Sequence, residues 1–440
     1  VSNLNLERRV IVDPPWNEGV AQIVRRSGAT VLPVFFDGAN RALFHLAGLL
    51  HPRLRTALLP HELLNKRQRR LRVRIGTPLP AARLQAFAGD PELVGYLRLR
   101  TYLLAGEGRG RRRPTLGPPR RGRTDEPLLE PRPQELLAAE VGGLPQEQRL
   151  LTSGDFEVWA AQAAQLPYLL LEIGRLRELT FRQAGEGTGR SLDLDSFDLA
   201  YTHLFVWNRE ARELVGAYRL GRSDLLRQGG AAALYTHTLF EFGDPFLDRL
   251  GPAIELGRSF VRPEYQRQFA PLLLLWKGIG QFLVRHPHYR TLFGPVSISR
   301  EYSELSRRLM ADSLLASRSL PELAALVRPR TPLRRQPLRV AGCAPAEARV
   351  LCRDFDAVAE LVGDIDPQSG GVPVLLRHYL GLGGRLLAFN VDRAFSDVLD
   401  GLIVVDLLQT ERRTLERYLG REGAAAYLAF HDTEAPRACA

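Results

Sequence analysis

Lysine is almost missing from this chain. Of 60 basic residues only Lys66 and Lys277 are lysines, methionine occurs once, and cysteine occurs three times, at Cys343, Cys352 and Cys439. Three cysteines so spaced exclude a disulfide framework and a cysteine-based zinc site, and they suit a reducing, cytoplasmic setting. No run approaches about 18 apolar residues, the length a helix needs to cross a bilayer, and no charged-then-apolar leader opens the chain. The chain begins at Val1 rather than Met, which fits a segment taken from inside a longer gene product. The replacement of lysine by arginine matches the codon bias of a GC-rich genome, and that bias accounts for part of the basic charge.

What is present is arginine, and with it a formal net charge of +11 and a pI near 10.0. Such a balance favours an anionic partner: nucleic acid, a membrane surface or an acidic carrier protein. Arginine's planar fork binds phosphate and carboxylate with two parallel hydrogen bonds wherever it sits. Nucleic acid has only charge in its favour, because no stretch interleaves aromatic and basic residues as base stacking requires.

A chain of 440 residues exceeds what one ordinary core accommodates, so two domains with linker material are expected. Residues 1–85 alternate helix and strand signals. "WNEGVAQIVRRSG" reads as a helix ending at Gly28, "ATVLPVFFDG" as a buried strand and "RRLRVRIGTPL" as a second strand. Residues 86–150 hold a helix and then a linker, whose stretch from about 105 to 135 is rich in Gly, Pro and Arg. Residues 151–410 form the second domain, and 411–440 a terminal helix and tail. Within 151–410, "VWAAQAAQLPYLLLEIGRLRELTFR" reads as helical with a break near Pro167. "AYTHLFVWN", "ELVGAYRLGRSD", "AIELGRSFV" and "RTLFGPVSIS" read as strands, and "FAPLLLLWKGIGQFLVRH" as a long buried helix. A charged helix near Tyr302 to Leu315, an irregular stretch near 328–345 and a helix with two strands complete the order. The fold class is α/β (α+β), a mixed sheet flanked by helices.

That order, with "VRPEYQRQFAPLLLLWKGIG", resembles the strand, phosphate-binding loop and helix of the GNAT acyltransferase superfamily. In that family backbone amides at the helix start cradle a cofactor pyrophosphate. Here Gln266, Arg267, Gln268, Phe269 and Ala270 stand where a Gly-rich loop is usual, and the bulkier loop suits the phosphopantetheine of a carrier protein. Residues 151–410 also resemble, more narrowly, the ornithine-lipid or hemolysin-like N-acyltransferases, related to the acyl-homoserine-lactone synthases. Four signatures in order carry the resemblance: Arg177 with Phe181 in "RLRELTFR", Asp195 with Asp198 in "LDLDSFDLAY", Arg219 in "LVGAYRLG", and Glu255 with Arg258 in "ELGRSF". Each alone has an ordinary explanation as helix packing, a capped turn or a salt bridge. Their ordered occurrence makes the set specific.

The resemblance implies a long acyl group passed from acyl carrier protein, or from acyl-CoA, to the α-amine of ornithine or a similar amino acid, with no bound cofactor and no metal. Amide formation needs an uncharged amine, so a base must take a proton. Glu255 is the candidate base and Arg258 its catalytic companion. Side chains three apart on a flat strand face opposite ways, so the two share a site only if a bulge intervenes, and Gly257 offers one. A strand amide near Gly257 or Arg258 would receive the oxyanion. Arg177, Phe181, Asp195, Asp198 and Arg219 are expected to bind substrate, the aspartates by receiving the amine or by orienting Arg219 and Arg258. Arg262, Gln266 and Arg267 are expected to hold the donor, and Trp276 with Phe282 either line an acyl tunnel or pack in the core.

Residues 1–85 resemble the carboxy-terminal part of the glycerolipid acyltransferases, which acylate lysophospholipids. The His-x4-Asp and Phe-Pro-x-Gly motifs of that family are missing, so this half is expected to be inactive in O-acylation here, though an intact, longer protein would be bifunctional. "HPRLRTALLPHELLNKRQRRLR" reads as a basic amphipathic surface for anionic lipid, placing the protein at the cytoplasmic face of the inner membrane. A non-catalytic, membrane-associated scaffold is the alternative.

Overall fold

Eight stretches, each carrying β-branched or aromatic residues, pair into one sheet. They are β1 (Arg149–Ser153), β2 (Phe156–Gln162), β3 (Thr202–Asn208), β4 (Glu213–Arg222), β5 (Ala253–Val261), β6 (Thr291–Ile298), β7 (Arg385–Asp392) and β8 (Val398–Asp406), in the order β7-β8-β6-β5-β4-β3-β2-β1. This computed structural model describes residues 3–5, 10–14, 16–38, 40, 43, 44, 47, 51–64, 70–105, 125–226, 229–266, 269–334, 345–393 and 395–434. Most of the basic linker and Arg267 therefore lie outside the described residues.

Neighbouring strands run antiparallel except β5 and β6, which are parallel. Parallel neighbours need a crossover, and helix α2 (Phe269–Arg285) supplies it. Helix α1 (Leu169–Gln183) turns Ile173 and Leu176 into a core with Trp159, Phe205, Ala217 and Phe260. The result is a mixed sheet flanked by helices, a GNAT-like fold.

One expectation fails in this unit. "VWAAQ" is not helical but the second half of β2, paired with β3 from Phe156–Asn208 to Gln162–Thr202. Its residues Glu157 to Ala161 are all buried, so the strand shows no alternation and cannot be told from a buried helix by period. Trp276 and Phe282 are core residues, both buried. Trp276 packs among Tyr218, His378, Tyr379 and Tyr418, with ring centroids 5.2 to 6.1 Å away.

The chain divides into two compact units. The sheet belongs to the unit formed by residues 117–301, 318–334 and 373–440, and the other unit collects residues 1–116, 302–317 and 335–372. In the latter, strands Val34–Asp37 and Arg72–Ile75 pair antiparallel. A two-stranded ribbon leaves a face open, so the strand expected to be buried exposes Phe36 while burying Phe35. The helix Gly19–Ser27 ends at Gly28 in the left-handed conformation, as a C-terminal glycine allows. Helix Asp90–Leu103 carries the fully buried Arg100, which donates to the Ala357 carbonyl at 2.7 Å. The stretch expected to form a basic amphipathic surface forms two six-residue helices, Pro52–Ala57 and Leu59–Leu64, with residues 65–69 outside the described ones. Among the described residues no helix is long and apolar enough to cross a membrane.

Candidate active site

The parallel ladder between β5 and β6 is short. It runs from Ala253–Thr291 to Glu255–Phe293 and stops, although both strands continue for several residues. Gly294 marks the parting point: a Cβ there would lie 2.1 Å from the Leu256 carbonyl oxygen, so only glycine lets the backbones close at the apex. Beyond it the strands form a wedge. A cavity of about 520 Å³ fills the opening, walled by Arg258, Ser259, Phe260 and Val261 of β5 and Pro295, Val296 and Ser297 of β6. Leu272 and Leu275 of α2, Phe181 of α1, Val374, Leu375 and Phe395 add apolar wall, while Glu186, Tyr235, Gln266, Asp392 and Asp400 add polar groups. This is the size and lining of a small-molecule site. A second cavity, of about 500 Å³, lies in the other unit, but the one charged wall residue among those described, Asp13, already accepts the Tyr102 hydroxyl.

Arg258 owes its place to a bulge. Gly257 pairs with Arg219 and Phe260 with Ala217, so Arg258 and Ser259 together oppose the single Tyr218 of β4. Arg258 takes the strain, with φ of 51° in the left-handed region. Its guanidinium lies 4.9 Å from the ring centroids of both Tyr235 and Phe395. Its guanidinium lies 3.4 Å from Asp193 and 3.8 Å from Asp195, with the charge of Asp198 also acting on it, and its buried Nε has no hydrogen-bond partner among the described residues. Arg258 stands in the cavity wall, and among the described residues its guanidinium is held by ion pairs rather than by hydrogen bonds.

Behind Arg258 stands an ionic lattice. Arg177, from α1, donates Nε to Asp193 at 3.0 Å and grips both oxygens of Asp198 at 3.1 and 2.9 Å. Arg219, from β4, donates to Asp195 at 2.6 Å and lies 3.3 Å from Asp198. Three arginines thus face three aspartates, Asp193, Asp195 and Asp198. Burial alone would push the Asp198 carboxyl up, but the guanidiniums of Arg177 and Arg219 outweigh it and hold it well below the usual carboxylate range. The aspartates hold the arginines in place. They leave Arg258 as the member that opens on the cavity, and Phe181, four residues past Arg177, forms wall beside Phe395.

Glu255 is elsewhere. Its carboxylate is 1% exposed and lines no wall of the cavity. It accepts the Tyr201 hydroxyl, the Tyr235 amide at 3.1 Å and the Thr236 amide at 2.6 Å. Three donors on one carboxylate fix the turn at Tyr235 and Thr236, and so the ring on which Arg258 rests. Arg262 is committed to Glu213 and, at 2.9 Å, to Glu264, away from the cavity. Gln266 does reach the cavity wall, with its side-chain amide donated to the Val261 carbonyl at 2.9 Å. Arg267 lies outside the described residues.

Sequence reasoning passed over Asp193, Tyr235 and Glu186. The alternation "LDLD" offers Asp193 as readily as Asp195. Glu186, in "AGEGTG", is a lone acid set between glycines. Burial, with the charges of Asp400 and Glu301 adding to it, pushes the Glu186 carboxyl up to about 7.

Residues 176–277, which carry most of this site, match the acetyltransferase (GNAT) domain family. The chain is 33% identical over 307 residues to the glycine N(alpha)-acyltransferase of Bacteroides thetaiotaomicron, an alignment covering 66% of this chain and 88% of that protein. The glycine N(alpha)-acyltransferase of Phocaeicola vulgatus is 29% identical over 316 residues, 67% of this chain and 94% of that protein. The L-ornithine N(alpha)-acyltransferase of Rhizobium meliloti is 32% identical over 146 residues, 32% of this chain and 46% of that protein. No solved structure is significantly similar.

Proposed function

The chain belongs to the GNAT-type N(alpha)-acyltransferase family, and from that premise we propose that it moves a long fatty acyl group from acyl carrier protein to the α-amine of ornithine or a similar amino acid. The product is a lyso-aminolipid. The observation that carries the reading is Arg258, a cation in the wall of an otherwise largely apolar cavity, held among the described residues by ion pairs rather than by hydrogen bonds. Its fork suits the acceptor's carboxylate, and the walls of Phe181, Leu272, Leu275 and Phe395 suit an acyl chain. The edge of β5 beyond Glu255, where no strand pairs with it on the β6 side, supplies backbone amides for the thioester's developing oxyanion. Asp193, Asp195 and Asp198 orient the arginines, and Glu255 acts through Tyr235 as a positioning residue. A net charge of +11 favours encounter with an acidic carrier protein and residence at an anionic membrane surface.

The test is direct. Purified protein is given palmitoyl-acyl carrier protein or palmitoyl-CoA with glycine or ornithine, the acceptors that the relatives' names carry, and products are read by mass spectrometry. An N-acyl amino acid formed from the carrier-protein donor is expected. Arg258→Ala should raise KM for the amine by on the order of 10- to 100-fold, the worth of charge-assisted hydrogen bonds. Absence of any amide product with either donor overturns the proposal.

A further inference from the structure

The reaction needs a proton acceptor, and the carboxylates around the wedge differ in how much of each is already committed. Asp193, Asp195 and Asp198 are bound to arginines. Glu255 is closed off by three donors. Asp400 accepts the Ser297 hydroxyl at 2.7 Å, and Asp392 accepts the Phe395 amide at 3.1 Å. Glu186 lines the same cavity, and among the described residues its carboxylate makes no hydrogen bond and no ion pair.

Its loop, by contrast, is tightly held. The Glu186 amide donates to the Phe181 carbonyl at 2.7 Å, and Gly185 to the Arg182 carbonyl at 3.0 Å. Ser299 donates its hydroxyl to the Ala184 carbonyl at 3.1 Å. Glu178 gathers the far side of the loop, accepting the Thr188 amide at 3.0 Å, the Thr188 hydroxyl at 2.7 Å and the Gly189 amide at 2.8 Å. A pinned backbone carrying an uncommitted carboxylate into a cavity is the arrangement of a group reserved for a ligand.

Resting on the reading above, we infer that Glu186 is the general base of the reaction, the group that takes the proton from the attacking amine nitrogen. The amine lone pair forms the new N–C bond at the thioester carbonyl, Glu186 accepts the proton that this nitrogen must lose, and collapse breaks the C–S bond. The departing thiolate recovers a proton from Glu186, so the carboxylate is regenerated and atoms balance. The groups that share the cavity with it are Arg258 from β5, Tyr235 from the turn after β4, Asp392 from β7 and Asp400 from β8, and the charge of Glu301, just past β6, acts on it as well. Crowding by Asp400 and Glu301 after burial brings its titration to about 7. That lies where a base is half available at neutral pH and still basic enough to work.

The experiment compares wild type, Glu186→Gln and Glu186→Asp in the acyl-transfer assay across pH 5.5 to 9. Glu186→Gln should lower kcat by roughly 10²- to 10⁴-fold, the usual worth of a general base. It should also erase the acidic limb near pH 7 from the kcat/KM profile, and Glu186→Asp should keep that limb at a reduced rate. A raised carboxyl destabilises the fold as pH climbs from its unfolded value toward 7, so Glu186→Gln should melt no lower than wild type at pH 8. A Glu186→Gln protein that keeps both its rate and the acidic limb overturns the assignment while leaving the acyltransferase reading intact. A wild type that forms no amide with either donor overturns that reading first.

Discussion

Four of the six charged side chains in this lattice, Arg177, Arg219, Asp193 and Asp198, are buried, which is costly unless each meets its complement. Arg177, Arg219 and Arg258 meet Asp193, Asp195 and Asp198, so the cluster balances, and Asp198 is the aspartate that touches both fully buried arginines, Arg177 and Arg219. Removing that charge leaves two buried guanidiniums short of a partner. Asp198→Asn should therefore cost about 3 to 5 kcal/mol, the range for breaking a buried pair from one side, and denaturant melts of the two proteins measure it. The pH dependence follows from the sign of the shift. A carboxyl held below its usual range contributes stability that is complete above its unfolded value near 3.8 and fades as pH falls. Wild type should lose stability steeply below pH 4, and Asp198→Asn should show a shallower loss. Glu186 has the opposite sign, since its fold-induced shift opposes stability at neutral pH, as is common where a group is kept for chemistry.

At the level of elements, function rests on two strands that agree and then part. Strand β5, helix α2 and strand β6 were legible in sequence, because "AIELGRSFV" and "RTLFGPVSIS" are short apolar runs around a long helical one. The bulge was legible as a condition, since Glu255 and Arg258 needed one to share a site, and the left-handed Arg258 fulfils it at the register break after Gly257. What was illegible is the consequence. The bulge sends Arg258 to the cavity but leaves Glu255 under the turn at Tyr235, a contact between residues twenty apart that no periodicity encodes. Glu186 was hidden for a related reason: its worth lies in having no partner among the described residues, which is a property of the surroundings. Gly294 tests the wedge itself. Gly294→Ala forces a methyl against the Leu256 carbonyl at 2.1 Å and should cost about 1 to 3 kcal/mol by overpacking. Because the clash falls at the apex, kcat/KM should drop together with the melting temperature. A variant with wild-type values for both would show that the strands do not depend on contact there.

Neither unit is one continuous stretch of chain. One unit gathers residues 1–116 with the separate segments 302–317 and 335–372, and nothing in local pattern announces that pairing. Its ties are specific. Arg83 grips Glu360 at 2.7 and 3.1 Å, the Asp364 carboxylate accepts the Thr77 amide at 2.9 Å and hydroxyl at 2.7 Å, and Arg100 donates to the Ala357 carbonyl. Around these, Leu93 and Leu97 are buried in the same unit as Leu309, Leu314, Val358 and Leu361. Each such side chain is worth roughly 1.5 to 3 kcal/mol when kept from water. A chain beginning at Asp125 keeps the later helices Glu304–Ser317 and Phe355–Ile365 but discards their amino-terminal partners. It should bare that apolar surface and leave Glu360 and Asp364 without their cations. Size-exclusion chromatography of the shortened and full chains gives the measurement: the shortened chain should elute as aggregate where the full chain is monodisperse. A shortened chain that stays monodisperse and melts cooperatively would show that the discontinuous segments fold without residues 1–116, and that the ties across Arg83, Thr77 and Arg100 are dispensable.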